Sequence, residues 1–188
     1  MKIKLFILMS LVSTSAYCQD SLSVSYHKLE YWNSFATGIL VGNSETSITG
    51  SFSTIHGLSF KRWRFGIGLG IEGYEKWRTF PFFGSSTFDF GKIKNHSLYV
   101  QMNAGYAIGQ RIEKVEGATH EEENGGLMLN PMLGYRLNLG NTSLSVAAGY
   151  KLQRVDYSFD WLWGWPYAKT TMDEEFNRFI FQIGFGLH

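Results

Sequence analysis

The chain has 188 residues with 17 basic and 16 acidic side chains, a formal charge of +1, so no basic field argues for nucleic acid. Cys18 is its only cysteine, so neither a disulfide framework nor a thiolate metal site can hold the chain together.

Lys2 and Lys4 precede an apolar run from Leu5 to Val12 and the small, polar segment STSAYCQ, which together read as a secretory signal peptide over residues 1–18. Ala16 and Cys18 are then the small residues before the cut, and Gln19 begins the mature chain. A lipoprotein would need Cys18 as its lipidated first residue, and the bulky Tyr17 beside it disfavours that. With Lys2 and Lys4 gone and no acid lost, the formal charge falls to −1. Residues 19–30 are expected as a short periplasmic segment and residues 31–188 as one domain. No second apolar stretch approaches the ~20 residues of a membrane helix, so any membrane crossing must use strands.

Alternation begins with Tyr31 to Val41 and recurs at steady intervals. From Thr46 to Phe60, Ile48, Phe52, Leu58 and Phe60 share one parity, and Thr49, Ser51, Ser53 and Ser59 the other. After a turn at Lys61 and Arg62 comes GLGIEG, residues 68–73, which fits the dinucleotide-binding pattern. The fingerprint needs a strand before it and a helix after it. Here Phe65, Ile67, Leu69 and Ile71 alternate with Gly66, Gly68, Gly70 and Glu72, which predicts a strand with one apolar face and one bare face against a crowded interior. Phe80, Phe82, Phe88 and Phe90 then oppose Ser85, Thr87 and Asp89. Leu98, Val100, Met102 and Ile108 oppose Gln101, Asn103, Gly105 and Arg111. Leu127, Leu129, Leu133 and Leu137 oppose Met128, Asn130, Gly134 and Arg136; Leu144, Val146 and Tyr150 oppose Ser145, Gly149, Lys151 and Gln153. The last run, Phe176 to Leu187, sets Phe179, Phe181, Ile183 and Phe185 against Arg178, Gln182, Gly184 and Gly186.

These runs predict an all-β fold, an eight-stranded antiparallel up-and-down transmembrane β-barrel. Short connections (Lys61 and Arg62, Gly91 to Asn95, Asn138 to Asn141) fall at one end and the long ones, Ile112 to Gly125 and Ser158 to Glu174, at the other, with only the first upper loop, near Gly42 to Glu45, unexpectedly short. An even strand count with both termini on the short-turn side is the layout of outer-membrane barrels, whose short turns face the periplasm. The six tryptophans, Trp32, Trp63, Trp77, Trp161, Trp163 and Trp165, fall at strand ends or in an upper loop, as expected of an interfacial belt. The polar parity is rich in Gly, Ser, Asn and Gln, which suits a narrow lumen better than a solvated sheet face.

The segments STIHGLSFKRWRFGIGLGIEGYEKWRTFPFF and GGLMLNPMLGYRLNLGNTSLSVAAGYKLQR resemble the small eight-stranded outer-membrane β-barrel proteins of Bacteroidetes-type Gram-negative bacteria. The resemblance covers nearly all of the mature chain and implies a fold, an outer-membrane location, and outer-membrane lipids and the barrel-assembly machinery as partners. Two departures stand out: Ser85 and Thr87 replace an inward Asp and Arg common in similar sequences, and the chain ends in Gly186, Leu187 and His188 instead of an aromatic residue.

Eight strands enclose a space that side chains fill, so a wide pore is not expected. Arg64, Glu72, Asp89, Arg136, Lys151 and Arg178, with Arg111, fall on the lumen parity and are expected to form a structural polar network; as a channel, the chain would use Glu72 and Arg64 as constriction residues. A lipid-modifying enzyme would need a nucleophile, a histidine and an acid on one face near the outer leaflet. Ser53 and His56 point to opposite faces, His27, His96 and His188 lie at the periplasmic end, and His120 stands beside Glu121, Glu122 and Glu123, a run that reads as a solvated loop. No catalytic, cofactor or metal site is expected. The segment FDWLWGWPY places Phe159, Trp161, Trp163 and Trp165 on one parity, with Tyr167 close by, as an extracellular aromatic stripe that could hold a surface glycan or protein. The expected role is structural, surface-interacting or envelope-stabilising; the alternatives are a lipid-modifying outer-membrane enzyme and a narrow ion or small-solute channel.

Overall fold

A computed structural model describes residues 29–42, 48–74, 76–112, 118–161 and 169–188. Among them are nine strands: β1 (Glu30–Val41), β2 (Ile48–Phe60), β3 (Trp63–Gly73), β4 (Trp77–Ile93), β5 (His96–Arg111), β6 (Ala118–Glu123), β7 (Gly126–Leu139), β8 (Thr142–Trp161) and β9 (Lys169–Leu187). All except β6 pair antiparallel with their barrel neighbours in chain order, and β1 closes on β9 from Asn33↔Leu187 to Val41↔Phe179. Closure leaves no edge in the eight-stranded wall.

The period-two pattern decides which face is which. Ile67, Leu69, Leu127, Leu133 and Ile183 point outward and are each more than half exposed, while their strand neighbours Ser51, Thr79, Asn103, Asn130 and Gln153 are buried inside. This is the reverse of a water-soluble barrel. Its outer apolar belt has hydrocarbon as its natural solvent. The glycine run is strand throughout: β3 ends at Gly73 and the chain turns at once into β4, with no helix to seat a pyrophosphate.

Inside, small residues let large ones cross the axis. Trp32, Ile55, Phe83 and Met128 form one buried cluster; Leu40, Tyr74, Trp77, Met132, Val155 and Ile180 form another. Gly68 lies directly opposite Phe83 and Gly134 opposite Tyr99, so two rings lie over bare backbone on the adjacent strand. Pro131 on β7 has no N–H to give, and the β7–β8 pairing lapses there, between Leu129↔Leu152 and Met132↔Gly149, with the register unchanged on either side.

Three boundaries differ from the sequence reading. The connection Tyr74 to Lys76 is a second short one at the end expected to carry long loops. The segment expected as a loop from Ile112 to Gly125 contains β6, which pairs with β8 and runs on into β7 across a one-residue bulge, Asn124 N donating to Asp156 O at 2.9 Å. The segment expected as a loop from Ser158 to Glu174 is largely strand. β8 runs to Trp161, β9 starts at Lys169, and the two stay paired up to Asp160↔Lys169. Backbone pairing along an already formed strand is indifferent to hydropathy, so it continued where alternation had stopped. Beyond Leu152 the outward parity turns polar, with an exposed ion pair between Arg154 and Glu175 at 3.3 Å. A bilayer needs about 9–11 residues per strand, and β8 has 20, so roughly 30 Å of it continues past the belt at ~3.3 Å per residue.

Candidate functional site

The seven lumen-parity charges all sit on inward positions, and they divide into groups. On the side of the termini, Asp89 on β4 receives two guanidinium groups: Arg64 at 3.0 Å and Arg136 at 2.7 Å. Arg136 lies over the Tyr99 ring at 4.4 Å, and Arg64 approaches Trp32 at 6.0 Å. On the opposite side, Lys151 on β8 pairs with Glu72 on β3, and Tyr74 OH donates to the other Glu72 oxygen at 3.0 Å. Lys151 is 1% exposed, so only a paired, hydrogen-bonded acid makes its charge tolerable. Arg178 covers Tyr74 at 5.2 Å, Arg111 covers Trp77 at 5.8 Å, and Trp77 Nε1 donates to Glu174 at 3.0 Å. Burial, followed by the charge of Glu72, raises the Tyr74 phenol well above its ordinary pKa, so it serves as a fixed O–H donor.

Arg64 and Glu72 therefore do not form one constriction. They stand eight positions apart on one strand, about 26 Å at 3.3 Å per residue, each with its own partner. Between the groups the lumen is packed. A cavity of about 20 Å³ lined by Ser53, Tyr99, Gln101, Asn103, Ser145 and Gln182 has room for about one water. Gln101 Nε2 donates to Asn103 Oδ1 at 2.9 Å inside it. These ion pairs join β3 to β4, β4 to β7 and β3 to β8 across and along the wall.

The tryptophan belt is only partly realised. Trp63 lies on the outer wall against Phe65 and Phe88, but Trp32 and Trp77 are buried in the lumen, at 3% and 2% exposure. Ring size alone does not place a strand-end tryptophan; its parity does. Trp32 shares the parity of Leu40, and Trp77 that of Thr79 and Phe83. The outer wall carries instead Tyr31 bonded to His56 at 2.6 Å and Tyr135 bonded to His96. Ser53 faces the lumen and His56 the outside, so they do not meet.

Of the aromatic stripe, Phe159 and Trp161 are backbone positions in β8, paired with β9 and β6 at Phe159↔Thr170 and Ala118↔Trp161. Trp163, Trp165 and Tyr167 lie outside the described residues. With β6, the upper parts of β8 and β9 make a three-stranded lobe beyond the barrel wall. Sequence reading also missed the mouth of the lumen on the side of the termini. There a cavity of about 490 Å³ opens between the three two-residue turns, Lys61–Arg62, Lys94–Asn95 and Gly140–Asn141. The missed signal was a lysine at the first position of two such turns, where glycine or asparagine is usual.

No protein-family model and no curated protein matches the chain. Solved structures do. The outer membrane protein OprG from Pseudomonas aeruginosa aligns with a TM-score of 0.64 at 11% identity over 86% of this chain and 96% of that one. Neisserial surface protein A aligns at 0.60 with 10% identity over 85% and 98%. The outer membrane protein AlkL, solved in lipid bilayers, aligns at 0.54 with 14% identity over 90% and 94%. At these identities the likeness is one of fold, and the fold is that of the small eight-stranded barrels of outer membranes.

Proposed function

We propose that this chain is an outer-membrane barrel with a closed lumen, which holds the three-stranded lobe of β6, β8 and β9 outside the bilayer as a surface-interaction element and has no enzymatic role. The observation that carries this reading is the overshoot of β8 and β9. A barrel needed only as a membrane staple would gain nothing from roughly 30 Å of extra paired strand. The apolar belt and the likeness to outer-membrane barrels support the location, and the packed ion-pair groups support a structural rather than a conducting lumen. The end of β8 and the segment between the described parts of β8 and β9 are rich in large amphipathic residues, Phe159, Trp161, Trp163, Trp165 and Tyr167, a composition suited to contact with a glycan or protein.

Orientation and role are tested together. A cysteine at Thr171 is expected to react with a membrane-impermeant maleimide on intact cells, and one at Lys61 only after permeabilisation. Replacing Trp161, Trp163 and Trp165 by alanine should leave heat-modifiable SDS mobility intact while removing binding to surface glycan arrays or to neighbouring cells. A triple variant that binds normally but unfolds in SDS without heating would make the stripe structural.

A further inference from the structure

The mouth of the lumen between the three short turns has the construction of an anion site. Each turn is fastened to its neighbour in the same way. The carbonyls of Arg62, Asn95 and Asn141 accept from the backbone N–H groups of Asp89, Asn138 and His188 at 2.8, 2.7 and 2.9 Å. The rim is thus held before any ligand arrives. Each turn also has a positive φ at its first position: 57° at Lys61, 50° at Lys94 and 73° at Gly140. Glycine takes this conformation without penalty, while a lysine is disfavoured in it. Lys61 and Lys94 are the described non-glycine residues in that region, and both line the cavity, the Lys61 ammonium lying 5.3 Å from the centre of the outward Phe60 ring at its edge. Backbone strain that puts charge on a rim is more readily understood as serving a site than as serving the turn.

Charge and hydrogen bonding agree. Among the described lining residues, Lys61, Arg62, Arg64 and Lys94 outnumber the acidic side chains of Glu30 and Asp89 and the α-carboxylate of His188, and Asp89 is already shared between Arg64 and the buried Arg136. One carboxylate cannot neutralise two guanidinium groups, so positive charge is left over at the floor of the cavity. His188, at the edge, is held below the ordinary histidine range by burial and then by Arg64 and Arg136, which reflects that same field. Ser97, 2% exposed, has an Oγ without a hydrogen-bond partner, as do Ser51, Thr79, Ser85 and Thr87 deeper in the lumen, and of these hydroxyls it is the one that lines the cavity. An incoming acceptor oxygen would satisfy it.

We propose that this mouth binds a phosphate-type oxyanion, with Lys61, Lys94 and Arg64 supplying charge and Ser97 a hydroxyl donor. Several donors converging from a rim and a floor suit a tetrahedral anion with several acceptor oxygens better than a planar carboxylate. The cavity exceeds the volume of a bare phosphate, so there is room for the group that carries it, whether a soluble phosphorylated compound or a phospholipid headgroup.

The test uses the mature barrel refolded in zwitterionic detergent, titrated with inorganic phosphate and with glycerol phosphate, and in parallel in vesicles with and without phosphatidylglycerol. Two readouts are followed: the thermal unfolding midpoint and the imidazole resonances of His188. Phosphate is expected to raise the midpoint and shift His188, and the variant Lys61→Gly/Lys94→Gly is expected to weaken this at least tenfold. Because glycine relieves the positive φ at both turns, the same variant should unfold no earlier than the parent without ligand, so lost binding cannot be blamed on lost folding. Ser97→Ala should weaken binding without moving the turns. A response to free phosphate assigns a soluble oxyanion, and a response only to phosphatidylglycerol assigns a lipid headgroup. If neither moves the midpoint or His188, or if the double glycine variant keeps the parent's affinity, the proposal is overturned.

Discussion

Gly68→Ala tests whether the lumen is as full as the geometry requires. Gly68 on β3 pairs with Phe83 on β4, and a Cβ built there falls 2.5 Å from Phe83 Cζ and 3.0 Å from the Thr54 carbonyl oxygen. The ring cannot swing aside freely, because it is buried among Trp32, Ile55 and Met128. Overpacking a site of this kind costs about 1–3 kcal/mol, and Gly68→Leu should block assembly altogether. Gly50 on β2 is the internal control: nothing lies within 4 Å of its Cβ position, so Gly50→Ala should change stability by less than about 0.5 kcal/mol. Phe83→Ala alone opens a void worth about 3–5 kcal/mol. Combined with Gly68→Ala it should cost less than the two separately, by about 0.5–3 kcal/mol, since the new methyl enters vacated space. Urea unfolding in phospholipid vesicles, followed by tryptophan fluorescence, measures all of these, with the SDS mobility of unheated samples as a check on closure. If Gly68→Ala behaves like Gly50→Ala, or if the Gly68 and Phe83 costs simply add, the ring does not lie over the glycine and the packed lumen is wrong.

Leu69 lies on the outer wall at 57% exposure, so Leu69→Arg should cost about 2–4 kcal/mol near the bilayer midplane, measured by the same unfolding assay; tolerance would place the belt elsewhere. Glu72→Gln strands the buried Lys151 and should cost about 3–5 kcal/mol, whereas Glu72→Gln with Lys151→Met should recover most of it; equal losses would mean that Glu72 is not the partner. His188 should titrate below the ordinary histidine value of about 6.5 in an NMR pH series. A depressed folded-state pKa means the native form binds the proton less readily than the unfolded chain, so this stability is complete above about 6.5 and declines as pH falls below it, and His188→Gln should flatten that slope. A titration midpoint above the ordinary value would put an acid, not Arg64 and Arg136, beside the ring.

Much of the wall could be read from sequence because a lipid-facing strand has to carry its apolar residues at every second position. Leu127 to Leu133 and Phe179 to Phe185 obey that rule, which by itself turns their neighbours Asn130, Arg136 and Arg178 inward, where they are buried. What sequence did not reveal is pairing across the barrel. Lys151 finds Glu72 at a separation of 79 residues, and Arg64 shares Asp89 with Arg136, because closure and strand stagger bring those levels together. Residue type points Trp32 and Trp77 to an interface, whereas their parity puts them inside. β6, whose sequence ATHEEE has no alternation, is a strand only because β8 offers it a ladder.

The charge balance carries a further consequence. A chain of nearly zero net charge has its charges sorted along the barrel axis. Lys61, Arg62, Arg64, Lys94 and Arg136 outnumber Glu30 and Asp89 at the end with the termini, while Asp156, Asp173, Glu174 and Glu175 gather at the base of the lobe beside Arg154, with Lys151, Arg111 and Arg178 inside the wall at that end. Asp156 and Asp173 are direct cross-strand partners, an arrangement that destabilises an isolated sheet. The cost is smallest where the lobe stands in water and salt, which screen exposed charges within about 10 Å at 0.1 M. On the function and anion site proposed above, an acidic lobe base and a basic mouth would select opposite partners. A partner that reaches the lobe would meet this acidic base, so its attachment should strengthen with basic groups and weaken as salt is added, whereas an anion entering from the other side would meet the lysine rim.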